Sequence, residues 1–127
     1  FIEERPEVAA KTMDAYFDAV AFWKENPEEG NRIIAEGLGF DVEDVEQVIG
    51  ATGETKKGGI HIFSRDEAAR FMGLMDGEPP LGLSNGQIHD HWKLTSTWWE
   101  KFGLISEVRG TDAGTAFSVM ETMLESR

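Results

Sequence analysis

The chain has 127 residues, 40% of them hydrophobic and 28% charged, the size and make-up of one ordinary globular domain. Its 24 acidic against 12 basic side chains leave a net charge of −12, so nucleic acid and anionic bilayer surfaces are not expected partners. Cysteine is absent, which removes disulfides, thiol nucleophiles and cysteine-bound metal, and no apolar run approaches the roughly 20 residues that a membrane-spanning helix needs.

The chain begins with Phe1, without a signal-peptide pattern, and reads as the approach to a helix already under way. The expectation is a mature product cut short, or a fragment of something longer. Pro6 and Pro27 each suit a first helical position, where the missing N–H would be an orphan anyway. The first predicted helix runs from about Pro6 to Glu25, with Met13, Phe17, Val20 and Ala21 at helical spacing. The second runs from about Pro27 to Glu36, capped by Asn26, with Ile33 and Ile34 inward and Gly37 and Gly39 at its exit. The third follows Asp41 as cap, turns Val42, Val45, Val48 and Ile49 to one side, and ends at Gly50.

From Ala51 to Gly59 the sequence is small, polar and glycine-rich, which is loop chemistry. Thr55, Lys56 and Lys57 in this loop are the candidate ligand-binding residues: with the loop amides they can hold a small anion in a backbone nest, the alternative being a plain exposed loop. The pattern of a phosphate loop is missing, because Lys56 and Lys57 precede the glycine pair. Ile60 to Phe63 is either a short strand or an extended link. Ser64 and Glu67 match a capping box for a fourth helix, about Arg65 to Met75. Ser84 or Asn85 is expected to start a fifth, about Gly86 to Phe102, with Ile88, Trp92, Thr95, Trp99 and Phe102 as its stripe and Gly103 as its stop. A last helix, about Asp112 to Glu125, presents Ala116, Phe117, Met120, Met123 and Leu124. The fold class is mostly α, with about six helices and at most one short strand, in a single segment with no internal boundary.

Catalytic sets are weakly supported. His89 and His91 flank Asp90, but residues two apart on a helix point in different directions and do not readily share a metal ion. Ser64, His61 and Asp66 supply the residue types of a hydrolytic triad without the tight glycine turn that presents its nucleophile. The carboxylates fall on outward helix faces, where solvated surface is the default. No catalytic residue, metal or cofactor is assigned, and the chain is not read as an enzyme. The adjacent aromatic pairs Phe22-Trp23 and Trp98-Trp99 cannot both face one core stripe, so one of each is expected at a second contact surface.

Several phrases, taken in order, resemble a known family. Phe1, Pro6-Glu7, Ala15-Tyr16-Phe17, Ala19 and Trp23 are followed by Asn26-Pro27-Glu28-Glu29, then Ile34-Ala35, Leu38-Gly39 and Asp41 to Val48, and later Trp99 and Phe102-Gly103-Leu104-Ile105. This order is similar to the C-terminal part of nitrate/taurine/aliphatic-sulfonate-type solute-binding proteins of ABC importers, which include pyrimidine-precursor binders. Gly30 stands where the family favours alanine, and the Ala51–Gly59 loop is longer than usual. The resemblance implies a two-lobed α/β periplasmic binding protein of type II, of which this chain would be the helical C-terminal portion. It further implies an extracytoplasmic, periplasmic location and a small anionic or organic solute. The implied partners are a permease in the inner membrane and the N-terminal lobe of the same protein, without membrane insertion by this portion. Two alternatives are a free-standing helical interaction or ligand-sensing module, and an enzyme like the pyrimidine-precursor synthases, whose cysteine-rich motif has no counterpart here.

Overall fold

The computed structural model describes residues 1–54 and 59–126. Among these it contains six α-helices and no strand: α1 Pro6–Glu25, α2 Pro27–Leu38, α3 Val42–Ile49, α4 Arg65–Met72, α5 Ile88–Lys101 and α6 Phe117–Glu125, with one 3₁₀ turn at Thr111–Ala113. The described residues are thus mostly α, as the periodicity implies, and residues 60–63 form a link that belongs to no helix or strand. Two compact units are present, one formed by Asp14–Ser64 and the other by Phe1–Met13 with Arg65–Arg127.

Within the Asp14–Ser64 unit, α2 and α3 pack together, and Phe17, Val20, Trp23, Ala35 and Val45 are buried. The organising feature is polar. Asn31, with no solvent exposure, accepts a hydrogen bond from Trp23 Nε1 at 2.7 Å and donates from Nδ2 to the Gly50 carbonyl at 2.9 Å. One side chain therefore ties the end of α1, the middle of α2 and the exit of α3. Such a network specifies a unique packing only when every member is satisfied. Gly30 makes room for it: a Cβ there would lie 2.6 Å from Trp23 Cδ1. Glycine at that position is a steric requirement of the indole. Gly30→Ala is expected to push Trp23 off Asn31 and to destabilise by roughly 1–3 kcal/mol, read by denaturant titration with Trp23 emission moving to the red.

Three expected side-chain caps do not form. Asn26 stands at the N-cap of α2, but its side chain donates back to the Phe22 carbonyl at 3.1 Å instead of accepting from the helix. Asp41 takes extended backbone at the N-cap of α3 without a side-chain cap bond. Asn85 does not start α5. Its amide donates to the carbonyls of Met75 and Gly77 at 2.7 and 2.6 Å, pinning the 75–78 turn, and α5 begins only at Ile88. For Asn26 and Asn85 the short polar side chain serves a nearby backbone carbonyl instead of the helix amides, the competition that makes such residues turn-formers. Ile33 also departs from its expected inward position and is 48% exposed.

In the other unit, α4 and α5 pack together and α5 contacts the 3₁₀ turn. Ala9, Ala10, Ala69, Val119, Met120 and Met123 are buried. The expected last helix from Asp112 is broken: the 3₁₀ turn and Gly114 precede α6, which starts at Phe117. The end of α5 follows its sequence closely. Gly103 adopts φ +70°, its N–H bonds to the Glu100 carbonyl at 2.9 Å, and the Leu104 N–H bonds to the Trp99 carbonyl at 2.8 Å. This paired closure satisfies two orphan carbonyls and needs a residue tolerant of the left-handed region.

Candidate functional site

A cavity of mixed chemistry lies along the inward side of α5. Ile88, Trp92 and Ser96, four residues apart, run along one helix face, and Ser96 is buried. Phe71, Trp92 and Trp99 supply aromatic walls to a groove of about 710 Å³, with His91, Ser96 and Arg109 adding polar groups. Of the expected stripe, Ile88, Trp92, Thr95 and Trp99 line this groove and Phe102 does not; Thr95, Trp99 and Phe102 are exposed, and the buried position is Ser96.

The groove is held by contacts that begin in the sequence. Trp92 Nε1 donates to the Arg109 carbonyl at 2.8 Å, anchoring the chain just before the 3₁₀ turn. Gly114 packs against the six-membered ring of Trp92, where any Cβ would collide with Cη2. Arg109 Nε donates to Glu107 at 2.9 Å, with both side chains well exposed, so its charge is partly answered. His91 meets the Phe71 ring edge-on at 5.6 Å and lies 3.3 Å from Gln87 Nε2. Stacking faces, hydroxyls and a rim guanidinium can hold a small ring-bearing or apolar solute.

His89 turns elsewhere. Its ring stacks on Phe117 at 5.3 Å and its Nδ1 lies 3.0 Å from Thr111 Oγ1. The two histidines therefore serve different neighbours, and among the described residues no group of three or more histidine and carboxylate side chains could hold a metal ion. His61 meets the Phe63 ring edge-on at 5.0 Å. The candidate anion loop, Thr55, Lys56 and Lys57, lies outside the described residues.

A second cavity, about 360 Å³ and almost wholly apolar, is bordered by Phe1, Met13, Met72, Val119, Met120 and Met123. A third, of about 890 Å³, opens at the start of α2 beside Arg32. That cation is engaged on both sides, donating to Glu29 at 2.7 and 2.9 Å and to Glu36 at 3.0 Å. Hydrogen bonding to Arg32 holds the Glu29 carboxyl below the ordinary carboxylate range. Arg32 is thereby committed to the helix surface rather than to an incoming anion.

Sequence reasoning missed Asn31 and Ser96. Both are polar residues on inward helix faces, which amphipathic patterning assigns to solvent. Trp23, eight residues before Asn31, carried the available signal, because a buried indole N–H requires an acceptor. No described helix is long and apolar enough to cross a membrane. Comparison of the chain with family models, with curated proteins and with solved structures finds no match.

Proposed function

We propose that this chain is the helical C-terminal part of an extracytoplasmic solute-binding component of an ABC importer, built on the two-lobed type II binding-protein fold. The observation that carries the reading is the apolar surface left by α2 and α3. Ile34, Val45, Val48 and Ile49 border a hollow of about 340 Å³ with Leu38 and Phe40, and Leu38 and Phe40 are 63% and 59% exposed. Together with Ile33 and Val48, also exposed, these side chains form a surface of the kind that packs against further structure. An earlier lobe of the same polypeptide would supply that cover. Support also comes from the resemblance, whose phrases coincide with the bounds of α1, α2 and α3.

The same exposed surface favours one other reading, a helical interaction module whose cover is a separate protein. Thermal denaturation of the full-length gene product with nitrate, taurine, alkanesulfonates, bicarbonate and pyrimidines separates the two. A cognate solute at about a hundred times its Kd is expected to raise Tm by roughly 5–10 °C, whereas the 127-residue chain alone shows no shift. A full-length product indifferent to every solute, with a protein partner instead, would establish the second reading.

A further inference from the structure

The outward side of α5 carries a pattern that neither the groove nor the transport reading uses. Leu94 and Trp98, four residues apart, are 60% and 46% exposed, and Phe102 beyond the helix end is 68% exposed. Trp98 and Phe102 stack at 5.7 Å, and Lys101 Nζ sits 4.6 Å from the Trp98 ring centre, so the aromatic ladder is ordered within the chain itself. Asp90 lies on this side in the first turn and Lys101 in the last, both exposed. Lys93 and Glu100 flank the stripe in the opposite order of charge.

We propose that this stripe is a homodimer interface, in which α5 of one chain lies antiparallel to α5 of a second copy across a two-fold axis near Ser96 and Thr97. Charge complementarity selects both occupant and direction. In the antiparallel register Asp90 of each copy meets Lys101 of the other, Lys93 meets Glu100, and Leu94 packs on Trp98. A parallel register would set Asp90 against Asp90 and Lys101 against Lys101. A two-fold interface must be self-complementary, and an acidic start, apolar middle and basic end meet that condition only when the two helices run antiparallel. The helix dipoles also oppose each other favourably in this arrangement. A single 14-residue helix face falls short of the roughly 1,600 Å² of a standard interface, so the dimer is weak and concentration-dependent.

The opposing explanation is that an acid in the first turn and a base in the last merely suit the helix dipole. Charge exchange in the 127-residue chain separates the two. By sedimentation equilibrium, Asp90→Lys and Lys101→Asp are each expected to weaken dimerisation roughly tenfold, since every change acts twice across the axis. The double exchange restores the dimer although it opposes the helix dipole twice. As the chain lacks cysteine, Thr97→Cys supplies a unique thiol near the axis, and it is expected to oxidise to a disulfide-linked dimer much faster than Glu36→Cys on α2. A chain that stays monomeric at millimolar concentration overturns the proposal. So does a double exchange that fails to restore the dimer while Thr97→Cys oxidises no faster than the control, and so does a monomeric full-length product in which Trp98 is shielded.

Discussion

Asn31→Leu is expected to lower stability by about 4 kcal/mol, the largest effect of any single substitution considered for this chain. Leucine keeps the branched shape of asparagine with bulkier methyl ends, so overpacking adds to the main loss. It strands two polar groups in a fully buried place: Trp23 Nε1–H, which loses its acceptor at 2.7 Å, and the Gly50 carbonyl, which loses its donor at 2.9 Å. Each unsatisfied group costs roughly 1–3 kcal/mol, and the two add because neither finds water. For a domain of this size the midpoint should fall by roughly 10–15 °C. A second substitution identifies the cause. Trp23→Phe removes the orphaned donor, so the double variant should lose less than the sum of the singles, with a coupling of about 1–2 kcal/mol. Additive losses in that cycle would mean that the Trp23–Asn31 bond contributes nothing specific.

Met123→Ala is expected to cost about 3 kcal/mol. Met123 has no exposed surface, and Val119 and Met120 beside it on α6 are 7% and 6% exposed. The value belongs in the middle of the range for such truncations because of where the space appears. Met123 already borders the 360 Å³ apolar groove, so shortening it enlarges an opening instead of sealing a void. Met123→Leu, which keeps most of the volume, should cost under about 1.5 kcal/mol. Urea titrations of the two variants give both numbers, and an alanine variant as stable as the parent would show that α6 contributes little to its unit.

Much of this fold is legible in the sequence because its punctuation is strong. Pro6, Pro27, Gly39, Gly50 and Gly103 mark helix limits that the structure keeps, and α1 spans the same residues in both readings. The Phe22-Trp23 pair divides as the helix period requires, Trp23 buried and Phe22 44% exposed. Local polar chemistry was harder to read. Asn26, Asp41 and Asn85 have the side chains of helix caps, but which backbone group a short amide or carboxylate reaches depends on loop geometry that spacing does not contain. The buried position on α5, Ser96, was missed for a related reason. Aromatic residues on three sides of that helix give several equally apolar stripes, and only tertiary contact with Phe71 and the chain around Gly114 selects the one through Ser96. Gly30 shows the reverse traffic. An apparent departure from the family pattern becomes, in the structure, the space that a buried tryptophan occupies.

The claim on which the transport reading turns is that the α2–α3 apolar surface is covered by an earlier part of the same polypeptide. Hydroxyl-radical footprinting of Leu38, Phe40 and Val48 tests it, comparing the full-length gene product with the 127-residue chain. The account predicts strong labelling of all three in the short chain and protection in the long one. Equal labelling in both would leave that surface facing water and contradict the account.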